Sequence, residues 1–210
     1  MGMTANYVRC SEKELEKIVS GDTDRIDAIL DERLYGRERI MVGGEENATP
    51  IDNLCRKYAS HGWFYTEEKA KELGMSEEDL ANETKRRGLH IWFNLDKCYN
   101  ELHALLTGDE FPLDLPKTNR LLSLCLIAED HVRGTEDYGY GPARYVRPST
   151  VKDIALTMED MTYSQLVEEN SWDSDQWGTD DDDMEQMFEH FKSFYKQAAE
   201  SGEAVLLIFL

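Results

Sequence analysis

Apolar residues recur along this chain at three- and four-residue intervals in several stretches, and glycines close most of them. Met3 to Arg9 reads as an opening strand. Ser11-Glu-Lys-Glu14 has the form of a capping box, in which the serine hydroxyl accepts a first-turn amide and Glu14 reaches back. Leu15, Ile18 and Val19 follow at helical spacing, with Gly21 as the stop. Ile26, Ile29, Leu30 and Leu34 predict a second helix. Thr49-Pro50 opens a third, with apolar positions Ile51, Leu54, Cys55 and Tyr58 before Gly62. Residues 66–87 are densely charged and are expected to be a surface excursion. Leu89 to Phe93 reads as a strand.

A further helix runs from Leu95 to Gly108, with Asn94 as its expected cap. Its stripe is Leu95, Cys98, Tyr99, Leu102, Leu105 and Leu106, and His103 is expected on the flank of that stripe. Leu121 to Ile127 is uniformly apolar and is read as a buried strand, although a short helix would carry the same run. Val151, Ile154, Ala155 and Met158 predict another helix, and Thr162-x-x-Gln165 starts one more. The pattern is strongest from Met184 to Ala198, where Met187, Phe188, Phe191, Phe194 and Tyr195 lie between. Asp180 to Asp183 stand at the positive end of that helix, and Gly202 ends it. Glu203 to Leu210 then reads as a strand buried on both faces. The expectation is an α+β fold: a single compact domain over residues 1–210, with several helices packed around a small sheet and a buried C-terminal strand at its centre.

Length and composition fit that picture. A chain of 210 residues buries enough surface to fold without a disulfide or a metal. Cys10, Cys55, Cys98 and Cys125 are too scattered for a zinc ribbon or a redox pair. Cys98 and Cys125 sit in apolar surroundings and read as small buried hydrophobes. The longest apolar run, Ala204 to Leu210, is far too short to cross a bilayer. Met1 to Ala5 has neither the basic nor the apolar region of a signal peptide, so a cytoplasmic location is expected.

Charge changes the picture more. Forty-three acidic residues against 23 basic give a net charge of −20, which repels phosphate backbones and argues against nucleic acid as a partner. Solubility alone would explain such a balance; so would an acidic face that steers onto a basic protein.

Three segments carry a likeness to known proteins. They are Asp96-Lys-x-Tyr-x-x-Leu-His-x-Leu-Leu-Thr-Gly108, Tyr140-Gly-Pro-Ala-Arg-Tyr145 with Pro148 and Val151 beyond it, and Phe191-Lys-x-Phe-Tyr-x-x-Ala-Ala-x-x-Gly-x-Ala-Val-Leu-Leu207. Together with the start Met1-Gly2-Met3 and in this order, they resemble the YfbM-like family of bacterial domains of unknown function. The chain departs from that family's pattern at Tyr99, where tryptophan is usual. Residues 66–87 match nothing in it and are expected to be an insertion. The resemblance implies an α+β fold and a cytoplasmic bacterial protein; it implies no reaction.

Candidate chemistry is sparse. His103, Arg144, Tyr140 and Tyr145 are the residues to nominate for a ligand site, with Tyr99 beside His103 on its helix. A histidine offers either ring nitrogen near neutral pH, and an arginine forks onto carboxylate or phosphate. The competing reading makes His103 a hydrogen-bonded core residue and Arg144 a structural arginine holding carbonyls or Glu129. Asp173-Ser-Asp-Gln-Trp-Gly178 has acids and a glycine where a calcium loop needs them, but Trp177 and Met184 occupy ligand positions, so a solvated loop is expected. No catalytic set, metal site or cofactor motif can be assembled. The sequence thus favours a non-enzymatic interaction module, for instance one neutralising a basic partner. A small-molecule anion site or enzyme around His103 and Arg144 is the alternative.

Overall fold

The computed structural model describes residues 4–22, 92–95, 98–109, 120–136 and 139–209, with scattered positions between 24 and 79. The second and third expected helices and the charged segment 66–87 lie largely outside the described residues. The chain runs β1 (Ala5–Ser11), α1 (Glu12–Val19), β2 (Trp92–Asn94), α2 (Tyr99–Thr107), α3 (Arg120–Ile127), β3 (Asp130–His131) and β4 (Arg144–Val146). It continues through α4 (Pro148–Met158), α5 (Tyr163–Asn170), α6 (Ser174–Trp177), α7 (Asp181–Glu200) and β5 (Glu203–Phe209). Among the described residues, seven helices thus accompany one antiparallel five-stranded sheet of order β2-β1-β5-β4-β3.

The C-terminal strand is central, as its unbroken apolar sequence required. β5 pairs with β1 over seven registered positions, from Ala5 opposite Phe209 to Ser11 opposite Glu203, and with β4 on its other side. Every residue from Ala204 to Phe209 is buried. Alternation divides them between two faces. Val205, Leu207 and Phe209 join Ala5, Tyr7 and Phe93 in the main core beneath α2, α3, α4, α5 and α7. The other face carries Val8, Cys10, Ala204, Leu206 and Ile208, against which α1 packs through Leu15 and Ile18.

Local signals placed most helix ends correctly. Ser11 and Glu14 close the expected capping box on α1, and Thr162 with Gln165 closes a second on α5. Asp180 is the N-cap of α7, and Asp181 to Asp183 fill its first turn. Gly108 ends α2 in the left-handed region at φ 75°, and a side chain there would meet Asn170 at 3.0 Å.

Three expectations are corrected. Leu121 to Ile127 is helix, not strand: the run is rich in leucine, poor in β-branched residues, and buried between α2 and α4, so no polar face marks its period. Asn94 does not cap α2; it pairs with Asn6 in the sheet, Leu95 continues the ladder to the Ala5 carbonyl, and the helix begins at Tyr99. Val19, expected on the apolar face of α1, is 43% exposed at that helix's last residue.

Candidate functional site

His103 lies at the contact of α2 and α3, not on an open flank. It is fully buried because α3 packs over the side of α2 that carries it. Nδ1 is 2.9 Å from the Asp109 carbonyl and Nε2 is 3.0 Å from Ser123 Oγ. A carbonyl only accepts, so Nδ1 carries the proton and the Ser123 hydroxyl donates to Nε2. Burial pushes the imidazole's pKa down, against a smaller upward pull from the Asp109 carbonyl bond and carboxylate. The ring is therefore neutral near pH 7. Thr107 adds a second link, donating to the His103 carbonyl at 2.8 Å and accepting the Asp109 amide at 3.2 Å. The arrangement has the outline of a serine–histidine pair, but both residues are sealed from solvent.

Arg144 sits in β4 rather than in the bent loop before it, and its role is fixed by the end of α3. A helix leaves its last carbonyls without partners, and here that end is buried. Tyr195 donates to the Cys125 carbonyl at 2.7 Å, Tyr7 to Leu126 at 3.2 Å, and Arg144 Nη1 to Ile127 at 3.1 Å. Three consecutive carbonyls are thus served by a helix, a strand and another strand, with the cation at the negative end of the helix dipole. Arg144→Met is expected to cost about 1.5–3 kcal/mol, the range for a bond from a charged donor. Thermal melts would check this, and an unchanged melting temperature would show the guanidinium to be free for another task.

Tyr145 is buried and donates to Asp130 Oδ2 at 3.1 Å, while Arg147 donates to the Tyr145 hydroxyl at 2.9 Å and stacks on its ring at 4.9 Å. Glu129, considered from sequence as a partner of Arg144, instead takes the amide and guanidinium of Arg147 and the hydroxyl of Thr150. The His131 amide and then the Tyr145 hydroxyl, with the His131 and Arg147 charges, hold the Asp130 carboxyl below its usual range against a modest burial effect. Tyr140 is 59% exposed, and its amide donates to the Phe209 carbonyl. Tyr99 packs edge-on against Phe209 at 5.7 Å. The nominated residues thus spread over α2, β4, and the loop before β4. His103 and Arg144 touch the same helix at Ser123 and Ile127, one turn apart.

Residues the sequence did not flag do equivalent work elsewhere. Arg9 is buried at 3% exposure and binds Glu203 at 2.6 Å, the Gln197 carbonyl at 3.1 Å and Ser201 at 3.1 Å, closing the C-terminal end of α7. Ser123 and Arg147 likewise had no local motif to announce them. Cys125 is sealed in the core and burial raises its thiol well above the ordinary range, as expected of a packing residue.

A further feature is an acidic stretch that runs through four helices. Residues 153–191 contain eight Asp and five Glu and no Lys or Arg. Asp173 and Asp180 turn inward to accept the amides of Asp175 at 3.1 Å and Asp182 at 2.9 Å, so they cap α6 and α7 rather than converge on a shared cation position. Asp181 accepts the Tyr163 hydroxyl at 2.6 Å. Tyr163 is pushed far above the ordinary phenol range, first by burial and then by Asp181, Glu185 and Asp180. Among the described residues, no group of three or more His, Cys, Asp or Glu side chains is placed to hold a metal ion, and no helix is long and apolar enough to cross a membrane.

None of the curated proteins matches the chain. Among solved structures it is similar to a protein of unknown function, YfbM from Escherichia coli, with 14% identity, 99% of each chain covered and a TM-score of 0.48. The family model that matches is described as a domain of unknown function, DUF1877, and it spans residues 1–208. That span takes in all three motifs that resemble the YfbM-like family, and the chain belongs to the DUF1877 family.

Proposed function

We propose that the chain is a protein-binding module of the bacterial cytoplasm that performs no chemical step, and that it engages a basic partner through the edge built from α6 and the first turn of α7. The observation that carries this reading is the stretch 153–191, where thirteen carboxylates, eight Asp and five Glu, stand without a single Lys or Arg. Capping bonds and the Tyr163 hydroxyl fix several of them in place, so the edge is a shaped surface and not a loose acidic tail. A preorganised row of one sign raises the encounter rate with a basic surface and rejects acidic ones.

The alternative reading, an anion site on His103 and Arg144, gains less support. His103 has both ring nitrogens engaged inside the core, and Arg144 serves the end of α3.

Affinity capture with the immobilised chain tests the proposal. Specific partners should be basic, should be held at about 0.1 M salt, and should be released near 1 M, where the screening length falls from about 10 Å to about 3 Å. Asp182→Asn with Asp183→Asn, both exposed and neither a cap, should weaken capture while lowering the melting temperature by only a few degrees, the loss of two charges at the helix start. Recovery of no partner at low salt, or capture indifferent to both salt and these substitutions, would sink the reading.

A further inference from the structure

The C-terminal half of α7 has the opposite character to its acidic start. It runs against α4, and the two helices enclose a groove of about 310 Å³. Lys152, Ala155, Leu156 and Glu159 line it from α4 and the residue beyond, and Lys192, Lys196, Ala199 and Glu200 from α7. The spacings are those of one helix stripe on each side, so the groove extends along two turns, or about 10 Å. Ala155 and Ala199, one from each helix, leave the space. Leu156 is 59% exposed at its side, with Tyr140 the most exposed large apolar side chain among the described residues.

The charges are unusual for this molecule. Among the described residues neither Lys152 nor Lys196 has a hydrogen-bond or ion-pair partner, in a chain with 43 carboxylates. Lys192 donates to the Met161 carbonyl at 2.7 Å and stands 4.0 Å from Glu189, which leaves it further N–H donors. Glu159 and Glu200 also face the groove. Among the lining residues three ammonium groups stand against two carboxylates around an apolar floor, and Glu189, outside the lining, offsets part of the Lys192 charge.

We propose that this groove binds a small amphiphile with one anionic head, such as a carboxylate on an unbranched alkyl chain. The lysines take the head, while Leu156 and the two alanines take the apolar body. The two glutamates repel ligands of higher negative charge. A volume near 310 Å³ fits a small organic molecule and is too small for a protein element. Glu159 belongs to the acidic stretch, but no groove residue lies in α6 or the first turn of α7, and this assignment does not rest on the protein-binding proposal.

Titration calorimetry on the full chain with octanoate as the probe tests it. Saturable single-site binding is expected. Lys152→Ala with Lys196→Ala should weaken it at least about tenfold, and Leu156→Ser should weaken it as well. Octanol, which lacks the charge, and butyrate, which lacks the tail, should each bind at least about tenfold more weakly. The Asp182→Asn and Asp183→Asn pair should leave octanoate binding unchanged, which separates this site from the acidic edge. Lys152, Leu156 and Lys196 are exposed, so the groove variants should melt like the parent. Absence of saturable binding, equal octanoate affinity in the lysine double variant, or octanol bound as tightly as octanoate would overturn the assignment.

Discussion

Phe191→Ala should destabilise the chain by about 3–5 kcal/mol, the largest effect expected of any single truncation here. Phe191 is fully buried at the middle of α7. Its ring meets Tyr7 of β1 at 5.4 Å, Phe93 of β2 at 5.5 Å and Tyr195 at 5.1 Å, all in edge-on or tilted geometry. The residue therefore joins the longest of the described helices to two strands of the sheet. Truncation loses the transferred apolar surface, leaves a cavity bounded by rigid rings that cannot collapse into it, and removes three aromatic pairings. For a domain of this size the melting temperature should fall by roughly 6–20 °C. Phe191→Leu should cost clearly less, because most of the volume is kept. If both variants melted alike, the ring contacts would be contributing nothing beyond bulk.

Such local-to-global couplings mark the boundary of what could be read from residues alone. The capping boxes at Ser11 and Thr162, the stripe of α7 and the buried nature of β5 are legible because each is written within a few neighbouring positions. α3 is not, since an element buried on all sides has no polar face to mark its period, and a short apolar run suits either strand or helix. The start of α2 is displaced for a related reason: Asn94 is a good cap by type, but pairing with Asn6 holds it in the sheet. The nominated site fared according to distance along the chain. Type and spacing nominated His103 and Arg144 for a ligand, and the structure gives both of them internal partners. The task itself depends on partners that no spacing announces, for Tyr7 and Tyr195 reach carbonyls 119 and 70 residues away and Arg144 reaches one 17 away. A common rule connects them. Helix ends that point into the core need donors, and this fold supplies them from distant elements, including Asn170, which donates to the Leu105 carbonyl of α2 at 2.9 Å.

His103→Leu should cost about 2–5 kcal/mol, because it strips two groups of their partners at once: the Asp109 carbonyl and the Ser123 hydroxyl. Ser123→Ala alone should cost less, about 1–3 kcal/mol, since only the Nε2 lone pair is left unsatisfied. In the double variant the two losses should not add; the shortfall, about 1 kcal/mol, measures the bond between them. The same residue should leave a mark on the pH dependence of stability. Its folded pKa lies below the unfolded value, so the unfolded chain binds the extra proton first. Stability that is complete above the unfolded histidine range should therefore decline as the pH falls through about 6.5 and onward to the depressed folded value. His103→Leu should remove that component of the decline while leaving the part due to carboxylates. Urea titrations between neutral and mildly acid pH would read both effects. Additive losses, or an unchanged pH slope in His103→Leu, would mean that the imidazole is not held by Ser123 and Asp109 as drawn, and would return it to the pool of groups available to a ligand.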